Sequence, residues 1–289
     1  MTQNEQTLSE NAAQIEYWNG PAGEKWRSRQ AHQDHLLEPV SQLLLAASGA
    51  RAGDRVIDIG CGCGATTIDL AARVAPTGEV LGVDVSGPML DWARERAPQH
   101  LPIQFALADA TVHPFEDGSA DLIASRFGVM FFADPARSFA NLRRALKPRG
   151  RVVFACWRAA RENPWMILPL REAAKHAPPL PETNPDDPGP FAFADASRVR
   201  RILADAGFAG VTIEPQDVEL DVAAGKGLDA AVESALNIGP TSRILADQSE
   251  AVRAAVAEDI RKILSAHAVG DRVPLGGAIW IVSATNPAG

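Results

Sequence analysis

A chain of 289 residues, 46% hydrophobic and 22% charged, has the composition of a globular protein with a sizeable core, which excludes pervasive disorder. Its formal net charge of −8 argues against nucleic acid as the principal partner, because gripping phosphates needs a surplus of Lys and Arg on some face. The polar first residues carry no basic segment followed by an apolar run, and apolar stretches such as 40–47 are too short to span a bilayer, so a cytoplasmic location without membrane insertion is expected. Three cysteines, Cys61, Cys63 and Cys156, two of them in one tight loop, do not read as a disulfide framework and fit a reducing compartment.

Residues 15–30 concentrate Tyr17, Trp18 and Trp26 around a Gly-Pro turn, and two readings stand open: a lid over a site, or rings that anchor the segment to the core. Leu36, Leu37, Val40, Leu43 and Leu44 share one face of a helix over residues 35–48, closed by Gly49 and Gly53. Val56, Ile57 and Ile59 then suit a buried parallel strand, and Gly60, Gly62 and Gly64 supply a turn whose backbone can approach a ligand. A helix over 66–74, a strand over 79–86, a helix capped by Ser86 and running up to Pro98, and a strand over 103–107 that leads to Asp109 follow in turn. Beyond a turn at Asp117 and Gly118 come a strand over 121–125, a helix opened by Asp134 and Pro135, and a strand over 151–157.

This alternation predicts an α/β fold: a Rossmann-like, seven-stranded, mostly parallel sheet with helices on both faces and ligands at the carboxyl ends of the strands. Gly60, Asp84, Asp109 and Arg126 would lie on that edge. Past Trp157 the regularity fails, and the proline-rich residues 177–190 read as a loop over the active edge. Asp195 caps a helix closed by Gly207, strands are expected over 211–222 and 277–285, and an amphipathic helix over 249–267 lies between them. The expected organisation is an N-terminal helical cap over 1–48 and one domain over 49–289, with insertions at about 158–193 and 223–275.

The acid two positions before the first glycine in VIDIGCGCG resembles the first motif of class I S-adenosylmethionine-dependent methyltransferases. Asp84 in VDVS, Asp109 in LADA, PFEDGSADLIASRF and ALKPRGRVVF are similar to the family's later motifs, in the branch of the ubiquinone and menaquinone biosynthesis methyltransferases. The resemblance implies S-adenosylmethionine as cofactor, S-adenosylhomocysteine as product, and a small-molecule acceptor. Gly60, Cys61 and Gly62 would face the methionyl part, with Asp58 either holding the loop or reaching the ammonium through water. Asp84 would accept both ribose hydroxyls, Asp109 the adenine amino group, and Ala110 would offer its amide to the ring. Val85 and Met89 would form one adenine wall, Phe127 or Met130 another, and Arg126 would lie close by.

Methyl transfer from a sulfonium is an in-line displacement, so the enzyme mainly aligns the acceptor; Tyr17, Trp18, Trp26 and Trp157 are candidates to flank the sulfonium. An oxygen acceptor would also lose a proton, for which Tyr17, His32, His35 or His176 could serve, and no pattern selects among them. His32 and His35 share a helical face but lack a third ligand at matching spacing, so no metal is expected; Cys61 and Cys63 read as small side chains packed beside glycine rather than a thiol site. The acceptor is expected to be apolar or aromatic, seated under the N-terminal rings and around Trp165, Phe191 and Phe193. Two rivals remain. Gly60, Gly62 and Ala65 also satisfy the dinucleotide pattern of an NAD(P)-dependent oxidoreductase, and an inactive S-adenosylmethionine-binding protein would share every motif. No pattern assigns an oligomeric state.

Overall fold

The computed structural model describes residues 3–178 and 184–288, with side chains from Asn11 onward. Four helices come first: α1 (Gln3–Asn19), α2 (Pro21–Ser28), α3 (Gln30–Leu36) and α4 (Glu38–Ser48). Strand and helix then alternate through β1 (Arg55–Ile59), α5 (Ala65–Val74), β2 (Glu79–Asp84), α6 (Gly87–Arg96), β3 (Ile103–Leu107), β4 (Ala120–Arg126), α7 (Pro135–Ala145) and β5 (Leu146–Trp157). The remainder comprises α8 (Pro164–Ala173), α9 (Ala196–Asp205), β6 (Ala209–Asp221), α10 (Gly227–Asn237), α11 (Gly239–Ile244), α12 (Glu250–Ser265) and β7 (Pro274–Thr285).

The strands form one seven-stranded sheet in the order β3-β2-β1-β4-β5-β7-β6. β1 to β5 pair in parallel, whereas β7 runs antiparallel to both β5 and β6. Every residue of β1 after Arg55 is buried, as a central strand covered on both faces requires. The predicted caps close their helices: Ser86, Asp134 and Asp195 accept from the amides of Met89, Arg137 and Ser197 at 3.4, 3.0 and 2.8 Å, each cap contributing about 1 kcal/mol. Phe139, Leu142 and Ala145 of α7 turn inward as their spacing predicts.

Three stretches differ from the sequence reading. The single helix expected over 35–48 is broken at Leu37, because Pro39 has no N–H to continue a helix but fits the first turn of a new one. The irregular stretch after Trp157 contains α8, which starts at Pro164 for the same reason and tolerates Pro169 within it; Met166, Pro169 and Ala173 form its buried face. Residues 223–275 hold α10 and α11 as well as the expected amphipathic helix. Part of the proline-rich run, 179–183, lies outside the described residues.

Candidate functional site

The site forms where the chain leaves β1. The amides of Gly60 and Cys61 both donate to the Val83 carbonyl, at 2.8 and 3.2 Å, so the loop is pinned to the end of β2. Gly60 has φ +64°, and a Cβ there would sit 2.5 Å from the Cα of Gly128; a Cβ on Gly128 would sit 2.6 Å from the Ile59 carbonyl oxygen. Two backbones cross in contact here, which needs glycine at both positions. Ser125 locks the crossing, donating to the Ile59 carbonyl at 2.7 Å and accepting from the amides of Gly128 and Val129 at 3.1 and 3.3 Å. The next residue but one, Phe127, is held at φ +70°, an unusual conformation for a large side chain, and its ring stacks on Trp157 at 4.2 Å.

Asp84 ends β2 with its carboxylate buried, one oxygen accepting from the Gly62 amide at 2.7 Å and the other from the Ser86 amide at 2.9 Å. Burial pushes its carboxyl above the usual range, and these amides oppose the shift. Asp109, past β3, accepts from the Thr111 amide at 2.9 Å and from the Asn11 side chain at 2.5 Å. α1 is thereby tied to the end of β3, and its other end is tied to the turn before α6. There Asn19 donates to the Val85 carbonyl at 2.8 Å and accepts from the Gly87 amide at 2.9 Å, while the Ser86 hydroxyl donates to the Trp18 carbonyl at 2.7 Å.

These elements enclose a cavity of about 410 Å³. Trp18, Trp26, Gly60, Cys61, Gly62, Asp84, Val85, Met89, Asp109, Ala110, Arg126 and Phe127 all line it, together with Tyr17, Met130, Trp157 and Trp165. Asp58 does not. It lies beneath the loop, fully buried, accepting from the Thr67 hydroxyl at 2.7 Å, so of its two expected roles the geometry leaves that of holding the loop. Burial raises its carboxyl to about 7, against the lowering effects of Thr67 and Arg126.

The three candidate histidines are not at the cavity. His32 is buried within α3, His35 lies 3.5 Å from Asp221, and His176 lies 2.7 Å from Asp259, so each expectation of a histidine base is corrected by placement. Tyr17 alone of the four candidates lines the cavity. Phe193 is also displaced from its expected role: it is a core residue packed on Phe139 and Phe154, and Phe191 packs against the core beside it. Residues that the sequence reading passed over include Asn11, Gln30, Gln33, Gly128 and Arg243, all on the cavity wall, and Asn19 behind it. Nothing in their local pattern marks them, and Asn11 and Asn19 act on elements remote in sequence.

The donor and acceptor balance tests whether S-adenosylmethionine suits this wall. Asp84 and Asp109 retain lone pairs beyond those used by the protein, and the buried Gln30 Oε1 has no donor among the described residues, its amide nitrogen being given to Asp34. A guest must therefore bring hydrogen-bond donors. Ribose hydroxyls, an adenine amino group and an ammonium meet that demand, so the residues fit the cofactor.

Strand order, glycine turn and acids at the ends of β2 and β3 are those expected of a class I S-adenosylmethionine-dependent methyltransferase domain. Residues 57–154 match the family model described as a methyltransferase domain. The chain is 32% identical over 173 residues to an uncharacterized 37.1 kDa protein in transposon TN4556 of Streptomyces fradiae, an alignment covering 60% of this chain and 48% of that protein. It is 38% identical over 105 residues to the demethylmenaquinone methyltransferase of Staphylococcus aureus, covering 36% of this chain and 44% of the relative, and is thus related to the quinone methyltransferases through this domain. It spans about half the length, or less, of these curated relatives. Phosphoethanolamine N-methyltransferase 2 of Haemonchus contortus, solved with phosphomonomethylethanolamine and S-adenosylhomocysteine, shares the fold with a TM-score of 0.54 at 20% identity, covering 86% of this chain and 52% of that one.

Proposed function

We propose that the protein transfers a methyl group from S-adenosylmethionine to a small acceptor with an apolar or aromatic body, by in-line displacement. The observation that carries this reading is the pair of carboxylates, Asp84 and Asp109, in a cavity whose wall also carries Trp18, Phe127, Trp157 and Trp165. The cofactor, when bound, supplies a methyl group activated on a sulfonium. Asp84 would accept the ribose hydroxyls, Asp109 and Ala110 would hold the adenine edge, and Val85 and Met89 would cover its face. Gln30 Oε1 is suited to the ammonium. The aromatic wall would exclude water and align the acceptor, an effect that can be worth about 7–11 kcal/mol, against about 1 kcal/mol for a ring beside the sulfonium. With no described histidine on the cavity, an acceptor that must lose a proton would lose it to Tyr17 or to solvent.

The oxidoreductase reading is disfavoured by β7, which runs antiparallel between β5 and β6, whereas the dinucleotide fold continues in parallel from its fifth strand to its sixth. Three free, buried thiols fit the cytoplasm, and no helix among the described residues is long and apolar enough to cross a membrane. A thermal-shift comparison of S-adenosylhomocysteine with NAD tests the class: stabilisation by the former is expected, and stabilisation by NAD alone would overturn the proposal. Transfer of labelled methyl to members of an acceptor panel separates an enzyme from an inactive binder. Asp84→Ala should abolish S-adenosylhomocysteine binding in calorimetry, and unchanged affinity would refute its assignment.

A further inference from the structure

The cavity is electrically uneven. Among the described residues its only carboxylates are Asp84 and Asp109, both at the proposed cofactor end, whereas its cations are four: Lys25, Arg29, Arg126 and Arg243. That is a local reversal in a chain of net charge −8.

Two of the cations are already engaged. Arg126 donates to the Ser41 hydroxyl at 2.7 Å and sits in the field of Asp34, Asp58, Asp69 and Glu38. Arg29 pairs with Glu233 at 2.6 Å. Lys25 and Arg243 have no side-chain hydrogen bond or ion pair among the described residues. The Arg29–Glu233 pair docks the end of α2 on α10, and Lys25, one helical turn before Arg29, lines the same cavity as Asn237, Ser242 and Arg243 from α10 and α11. Partial burial, with smaller effects of Arg253 and Arg29, pushes the Lys25 ammonium below its ordinary range.

An aromatic wall also lines the cavity. Phe127 stacks on Trp157 at 4.2 Å, and Trp157 meets Trp165 at 5.1 Å. The Trp165 indole N–H is buried without an acceptor among the described residues.

We infer that the methyl acceptor is an organic anion, its apolar or aromatic body lying along Phe127, Trp157 and Trp165 and its carboxylate or phosphate oxygens set against Lys25 and Arg243. This rests on the reading that the Asp84 end holds the cofactor. Charge-assisted hydrogen bonds from an ammonium and a guanidinium fix such a group in orientation, and orientation is what in-line transfer demands.

The test uses the intact protein saturated with S-adenosylhomocysteine, whose own titration is read first; failure of that ligand to bind overturns both readings at once. Three probes sharing one ring system, 2-naphthoate, 2-naphthyl phosphate and neutral 2-naphthamide, are then titrated by calorimetry. At least one charged probe is expected to bind about tenfold more tightly than the amide, the carboxylate and phosphate arms showing which oxyanion fits. In the Lys25→Gln, Arg243→Gln double variant that preference should fall to about twofold or less, and in wild type it should narrow as salt is raised from about 50 to about 500 mM. Both variant positions are exposed, and unchanged S-adenosylhomocysteine affinity reports an intact fold. Equal affinity for charged and neutral probes, no binding of either charged probe, or a preference that survives in the double variant overturns the inference while leaving the cofactor reading in place.

Discussion

Asp58 and Asp84 are buried acids on neighbouring strands with different tasks. Asp84 faces the cavity with both oxygens braced by backbone amides, while Asp58 is sealed under the glycine turn with one oxygen on Thr67 and the other without a partner among the described residues. Asp58 carries a testable pH signature. Its folded value of about 7 exceeds the ordinary carboxylate value of 3.8, so the folded state holds the proton more tightly than the unfolded chain. Its stabilising contribution is then complete below about pH 4 and is lost as pH rises through 7, a change of up to about 4 kcal/mol. Asp58→Asn keeps an acceptor for Thr67 and cannot ionise, so urea unfolding should show its stability gaining on wild type between pH 5 and pH 8; parallel pH profiles would count against this account. At the crossing of Gly60 and Gly128 the steric demand is sharper. Gly128→Ala should cost about 1–3 kcal/mol in unfolding free energy, because the added carbon meets backbone that cannot turn aside.

At the scale of elements, α1 and α2 form part of the site's wall, and the two sequence readings of the N-terminal rings both hold in part. Trp18 meets Trp26 and Phe131 edge to face, at 6.2 and 5.3 Å, and also lines the cavity. Asn11 and Asn19 fasten α1 at its two contacts with the sheet edge, one at Asp109 and one at the β2–α6 turn. Replacing both with Ala should loosen α1 and α2 without disturbing the sheet. Limited proteolysis is expected to cut between residues 11 and 30 more readily in that variant, with S-adenosylhomocysteine slowing the cut in wild type; a ligand without effect on the wild-type rate would speak against these helices covering the site. α8 presents the opposite lesson. It fell in the stretch after Trp157 read as irregular, yet Pro164 occupies a first turn where no hydrogen bond is lost, and the buried face supplied by Met166 and Pro169 outweighs one missing donor.

For the whole molecule, one apolar cluster runs from Leu36 in α3 through the sheet to Ala284 in β7. A shared core of that reach leads us to expect that the N-terminal cap and the rest unfold together. Scanning calorimetry should give a single transition with calorimetric and van't Hoff enthalpies in agreement, and two resolved transitions would mean separable bodies. The fold up to β5 and the end of the cavity carrying Asp84 and Asp109 were legible in the sequence because their signals are local: an apolar run before a glycine turn, acids at the ends of successive strands, and helices capped by Ser86 and Asp134. The sequence by itself therefore determined the sheet, the glycine turn and the positions of Asp84 and Asp109. Only the tertiary structure decided that Asp58 faces inward, that the three candidate histidines stand apart from the cavity, and that Lys25 and Arg243 share its wall. The physical reason is separation along the chain: the Arg29–Glu233 contact that brings the two sides together joins residues 204 positions apart, and no local period or spacing encodes such a meeting.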